Sequence, residues 1–163
     1  MHEHRRLAVA ERRAASTRRR SVGSLRDERG AAAVEFAIVA SIFFLLVFGI
    51  IDFGFAFHTW NGSANAAREG ARRAAVDPVV GDIVARTTQS VDYLDPARLT
   101  VSVTCSRGGS VFTGCPASSS WVEGDLVRVT VDYRYQYLTP LGSMVGLGDD
   151  LNLHSVSEAR FEG

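Results

Sequence analysis

The sixteen residues from Phe36 to Ile51 contain one hydroxyl (Ser41), one glycine (Gly49) and otherwise only apolar side chains. Extended back to Ala31, the run covers twenty-one residues with a single charge, Glu35. As a helix rising 1.5 Å per residue it reaches about 30 Å, the thickness of a bilayer's hydrocarbon core. A helix on the surface of a soluble protein keeps a polar face, and this one is apolar all round. The expectation is a transmembrane helix over 31–51. A secretory signal shares the basic start, but the apolar run is long for one. No small-x-small cleavage site follows promptly, and Asn61-Gly62-Ser63-Ala64 is a poor candidate, so the segment is expected to stay.

Charge orients the span. The net charge is zero, yet residues 1–30 hold nine arginines against four acids, and the chain after Asp52 holds nine arginines against twelve acids. After Asp52 no arginine appears until Arg68. The positive-inside tendency places residues 1–30 in the cytoplasm and the chain after about residue 52 outside. The arginine-rich start directly precedes the span. Topology and anionic lipid therefore explain it better than nucleic acid, which is not expected as a partner. Every basic residue apart from the histidines is arginine, a coding bias that points to a GC-rich, bacterial genome.

Glu35 is the costly residue. Ionisable groups inside spans are rare and usually functional. It stands five residues after Gly30 in Arg29-Gly30-Ala31-Ala32-Ala33-Val34-Glu35-Phe36-Ala37. This stretch resembles the processing motif of type IV pilin-like precursors. Two further blocks extend the likeness: Phe48-Gly49-Ile50-Ile51-Asp52-Phe53-Gly54, and Asn65-Ala66-Ala67-Arg68-Glu69-Gly70-Ala71-Arg72-Arg73-Ala74-Ala75. Together, over roughly residues 29–76, they resemble the TadE-like family, minor pilins (pseudopilins) of the tight-adherence or Flp pilus; TadF-like proteins look similar. The resemblance implies cleavage by a prepilin peptidase between Gly30 and Ala31. The new amine would then pair with the Glu35 carboxylate of a neighbouring subunit, since a charge in low dielectric is tolerable when matched. The bland alternative is an acid at the edge of the span, reaching back to the headgroups. The family motif further marks Asp52, Gly54, Arg68, Glu69, Gly70 and Arg72, without assigning them chemistry. Implied partners are the peptidase, TadF-like minor pilins, the Tad inner-membrane platform and membrane lipid.

Beyond the span, residues 52–76 lack proline and place Ala64, Ala67, Ala71 and Ala74 at helical spacing. One helix is expected over about 32–76, with Gly49, Gly54 and Gly62 as its weak points. Its alanine face suits either a sheet or helix of the same chain, or a neighbouring subunit. Glu69 precedes Arg72 and Arg73 by three and four residues, a favourable ion-pair order. Asp77-Pro78 reads as an N-cap and first position of a second helix over 79–91, with Val79, Val80, Ile83, Val84, Thr87 and Val91 inward. Alternation predicts strands at 99–105 and 127–137, the second with Val127, Val129, Val131, Tyr133, Tyr135 and Tyr137 on one face. A third is expected near 150–161, after a glycine-rich connection. Asp149-Asp150 reads as a turn.

Cys105 and Cys115 are the only cysteines. Outside the cytoplasm they are expected to form a disulfide, which over a loop of about ten residues contributes roughly 3 kcal/mol by chain entropy; the alternative is two free thiols. The spacing fits neither a CxxC redox pair nor a zinc site. No P-loop, GxGxxG, GxSxG or HExxH occurs. The histidines (His2, His4, His58, His154) are scattered, so neither an enzyme, a cofactor nor a metal is expected.

The expected fold class is α+β: a long N-terminal helix and a small domain with a short helix and about three antiparallel strands. The expected organisation is a cytoplasmic leader (1–30) that is cleaved, a transmembrane helix (31–51), its extracytoplasmic continuation (52–76) and an extracytoplasmic domain (77–163). The function expected is a membrane-anchored assembly subunit of a Flp-type pilus. The alternative from another class is an unprocessed single-span binding or sensor protein.

Overall fold

The computed structural model describes residues 24–117 and 120–162, with side chains from residue 30 onward. The basic leader at 1–23, with His2 and His4, lies outside the described residues. The chain divides into two compact units, Met1–Val47 and Phe48–Gly163. A single helix, α1 (Ser24–Val76), begins in the first and ends in the second. It runs unbroken through Gly49, Gly54 and Gly62 and starts earlier than the expected residue 32, so Gly30 and Ala31 both lie inside it. It stops at Val76, as the Asp77-Pro78 pair requires.

In the first unit, α1 carries the apolar run as far as Val47, and the last turn of that run, Phe48–Ile51, belongs to the second. The helix contains an eighteen-residue window of mean hydropathy 2.7, none of it buried within the protein.

The second unit is α+β. After α1 come α2 (Val80–Gln89), a 3-10 turn (Pro96–Arg98), β1 (Leu99–Ser106), β2 (Thr113–Gly114), β3 (Leu126–Gln136), α3 (Leu141–Met144) and β4 (Asp150–Arg160). The four strands form one antiparallel sheet in the order β2-β1-β3-β4. The three long strands fall where alternation places them. β2 is an addition: two residues of the Gly- and Ser-rich stretch between β1 and β3 pair Thr104 with Gly114 and Cys105 with Thr113. The Cys105–Cys115 disulfide, with Cα atoms 4.8 Å apart, staples this short strand to β1. The glycine-rich connection likewise holds the four-residue α3, and Asp150 opens β4 rather than sitting in a turn.

The core lies between the sheet, α2 and one stripe of α1. That stripe consists of Ala56, Thr59, Ser63, Ala66, Ala67, Gly70, Ala71 and Ala74, all buried. Every one is small, so backbones approach closely, and volume is supplied from the other side. Val127 and Val129 of β3 pack with Ala71, Ala74 and Ile83; Tyr135 and Leu153 pack with Ala56; Val91 and Leu94 pack with Ala66. The alanine face thus serves packing within the chain. The Tyr133-Tyr135-Tyr137 row is also packing, with Tyr135 buried and its neighbours half-buried.

Two local expectations are corrected. Asp77 is not an N-cap: α2 starts at Val80 with Val79 as its cap, and no side chain bonds that end. Asp77 instead receives Arg73 Nη2 at 2.5 Å and the Val79 amide at 3.3 Å, so it ties off the end of α1. Arg73 accordingly pairs with Asp77 and Asp82, and not with Glu69. Of the residues expected inward on α2, Ile83, Thr87 and Val91 are buried, Val80 and Val84 half-buried, and Val79 exposed.

Candidate functional site

Two sets of residues carry chemistry, one in each unit. In the second unit the principal feature is Asp52, a carboxylate only 4% exposed. It accepts the Leu138 amide at 2.8 Å and the Thr139 amide at 3.2 Å on Oδ1, and the Thr139 hydroxyl on Oδ2. No cation pairs with it among the described residues. Its charge is stabilised by three donors converging from the segment just after β3, which is how a buried carboxylate is tolerated without a salt bridge. The Tyr135 hydroxyl points at the Asp52 carbonyl, at 3.5 Å. One helix residue therefore anchors a segment more than eighty positions away.

Five turns further along α1 lies a second knot. Glu69 accepts Arg72 Nε and Nη2, each at 3.1 Å, and Arg86 Nε of α2 at 2.9 Å. These two guanidinium groups, Arg72 first, hold the Glu69 carboxyl at about 2, well below the ordinary carboxylate range. Next to it, Gly70 is a contact position. A Cβ there would lie 2.1 Å from Thr87 Oγ1 and 3.1 Å from Val129 Cγ1, so only glycine lets α1, α2 and β3 meet. Arg68 donates to Asn65 at 2.8 Å on the exposed face. Gly54 has open space around it, and nothing in the structure explains it.

In the first unit, Gly30, Ala31 and Glu35 share one exposed helical segment. Glu35 projects from the apolar run and has no ion-pair partner among the described residues. A charge in that position costs roughly 2.5–3.5 kcal/mol to insert at a bilayer's centre, less near its edge.

Residues 30–72 match the family model of the TadE-like proteins. The match begins at Gly30 and lies entirely within α1. No curated protein and no solved structure matches the chain. The TadE-like segment contains Glu35 and the whole set Asp52, Gly54, Arg68, Glu69, Gly70 and Arg72. A TadE-like segment on a helix with an apolar, unburied stretch fits a membrane protein associated with a Tad pilus.

The structure separates these residues into roles. Asp52, Glu69 and Gly70 bind the helix to the domain that follows it. Arg72 supports Glu69, and Arg68 is solvated. Their partners (Thr139, Leu138, Arg86 and Thr87) lie outside the TadE-like segment, and of these only Thr87, on the inward face expected for the second helix, carries a sequence signal. Also without a signal is the clamp at the far end of the sheet. There Arg107 donates Nε and Nη2 to Asp125 at 2.9 and 2.7 Å, and the Val122 amide donates to it at 3.0 Å. Arg107 is the main reason the buried Asp125 carboxyl is shifted down.

A cleft of about 420 Å³ is lined by Asp95, Arg98, Arg134, Gln136, Asp149 and Asp150. Arg98 is already engaged there, with Gln136 at 2.6 Å and Asp95 at 3.4 Å. Among the described residues no cluster of three or more His, Cys, Asp or Glu side chains is placed to hold a metal ion.

Proposed function

We propose that the chain is a minor pilin, or pseudopilin, that supports assembly of a Flp/Tad-type pilus. It is inserted with its N-terminus in the cytoplasm and cut after Gly30 by a prepilin peptidase. Residues 31–51 hold it in the membrane, and the domain of residues 77–163 faces outward. Its role is structural rather than enzymatic. Its partners are the peptidase, TadF-like minor pilins, the inner-membrane platform and lipid.

The observation that carries this reading is Glu35: a carboxylate on the exposed surface of an apolar helix, five residues past the glycine at which the TadE-like match begins. Cleavage there creates an amine at Ala31. An α-amino group titrates near 8, so it is cationic at neutral pH and offsets the carboxylate of an adjacent subunit. Gly30 lies in the first turns of α1, and glycine lowers the cost of unwinding that turn for a peptidase.

Co-expression with a prepilin peptidase tests the reading. N-terminal sequencing of the membrane form is expected to begin at Ala31, and a chain that keeps its leader under those conditions overturns the processing claim. Glu35→Gln is expected to insert and be cleaved normally yet abolish piliation. Normal piliation in that variant removes the pairing role.

A further inference from the structure

The segment between β3 and β4 differs from an ordinary surface loop. From Tyr137 to Gly148 it carries no charge over twelve residues, bounded by Gln136 and Asp149. Four of its large apolar side chains point outward: Leu138 is 60% exposed, Met144 76%, Val145 48% and Leu147 65%. Its backbone is turned inward. The Leu138 and Thr139 amides go to Asp52, and the Leu141 amide to Thr139 Oγ1. Those of Tyr137, Met144, Val145, Gly146 and Leu147 go to carbonyls at Asp149, Pro140, Leu141, Ser143 and Gly142. Eight of the segment's eleven amides thus find acceptors within the chain while its apolar side chains face outward, an arrangement suited to hydrocarbon.

Its location names the occupant. A Cβ on Gly49 would lie 3.6 Å from Leu141 Cδ2, and Asp52 holds Thr139. The loop therefore sits beside Phe48–Asp52, where the apolar run of α1 ends. On the same helix Phe53, Phe55 and Phe57 are exposed, and Phe53 and Phe57 stack at 6.2 Å. Apolar surface is thus continuous from the last turn of the run onto the loop. Asp149 and Asp150 mark where polar surface resumes.

We propose that residues 138–147 insert into the leaflet at the C-terminal end of the apolar run, as a second, shallow membrane contact. Asp52 then has a defined task. It supplies the acceptors for the loop's first amides at a depth where water is scarce, and it is itself shielded from lipid by the loop. A loop tip in the leaflet fixes how deep the domain sits, which a lone helix leaves free to slide and rotate.

The proposal rests on residues 36–51 being a membrane anchor, and the test separates the two. The full chain, native disulfide closed, is reconstituted into phosphatidylcholine–phosphatidylglycerol vesicles with an environment-sensitive NBD label on Met144→Cys, Phe43→Cys or Glu123→Cys. Glu123 lies in the turn before β3, at the opposite end of that strand from the loop. The label at 144 is expected to emit to the blue and to be quenched by lipids bearing a nitroxide high on the acyl chain. It should be several-fold less accessible to aqueous cobalt than the label at 123. At 43 a deep nitroxide should quench best. With 43 in lipid and 144 as water-accessible as 123, the loop proposal fails and the anchor stands. With 43 in water, both fail. A label at 144 that is shielded from cobalt yet untouched by nitroxide lipid is covered by protein, such as a second copy, and also overturns the proposal. In Met144→Asp/Leu147→Asp, a label at Val145→Cys is expected to become cobalt-accessible, with the far-ultraviolet circular dichroism of the domain retained.

Discussion

Single positions on α1 decide how the chain behind it docks. Asp52 answers two backbone amides and a hydroxyl at once. Asp52→Ala leaves these part-buried donors unanswered, and losing a buried acceptor costs about 1–3 kcal/mol per orphaned donor. The expected loss is about 2–4 kcal/mol of unfolding free energy in detergent. Asp52→Asn keeps one acceptor and should lose clearly less; equal losses would show that negative charge, rather than hydrogen-bond geometry, holds the segment. Two glycines make a second contrast. At Gly70 an added methyl meets buried Thr87, whose hydroxyl already donates to the Ile83 carbonyl at 2.7 Å, and Val129 behind it. At Gly62 it crowds the hydroxyl end of Tyr93, a half-exposed ring beside His58 that can shift toward solvent, and makes ordinary contact with Val91. Gly70→Ala is expected to destabilise by about 1–3 kcal/mol through overpacking. Gly62→Ala should be neutral or slightly stabilising, because alanine is the better helix former by about 1 kcal/mol. Thermal unfolding of the two variants side by side checks both.

Between elements, the Glu69 knot joins α1 to α2 through Arg86 and reads out in acid. Its carboxyl titrates near 2 in the folded chain and near the ordinary 4.5 when unfolded. Because the folded value is the lower one, the unfolded chain binds the proton more readily. The contribution is complete above about 4.5 and is lost as pH falls toward about 2. Asp125, also shifted down by its arginine, adds to the loss in the same direction. Melting temperature is expected to fall between pH 5 and pH 2.5 in the native chain, and to fall less steeply in Glu69→Gln. Parallel slopes would remove Glu69 from the acid response. The strands and helices themselves were legible from alternation and helical spacing, because one-sided burial imposes a period of two or 3.6 on the apolar residues. The N-terminus of α2 is not legible in the sequence, for a physical reason. Asp77 had two uses open to it, capping the next helix or closing the last one, and the choice depends on where Arg73 and Asp82 fall in space. The pairing of Glu69 was likewise half legible. Arg72 is local on the helix, whereas Arg86 is seventeen residues away.

At the scale of the whole molecule, the domain of residues 77–163 is not complete without α1. The small-residue stripe from Ala56 to Ala74 is one wall of its core, against which Val127, Val129, Tyr135 and Leu153 are buried. A fragment of residues 77–163 is therefore expected to lack a cooperative unfolding transition and to bind a hydrophobic dye. A fragment of residues 48–163 in mild detergent should melt cooperatively. A cooperative melt for the shorter fragment would mean that the sheet is self-sufficient and the helix merely rests on it.

Sequence alone determined the apolar helix, the lone carboxylate within it, the TadE-like likeness, the three long strands and the cysteine pair. Each is written in local patterns: a run of hydrophobicity, a spacing, an alternation. Tertiary structure decided the rest. It assigned the alanine face to the chain's own sheet, made Asp52 the anchor of a loop eighty-six residues away, and turned a glycine-rich connection into an apolar projection beside the end of the apolar run. Those outcomes depend on which surfaces meet and on where backbone amides find acceptors once water is excluded, and no local pattern in the chain encodes either.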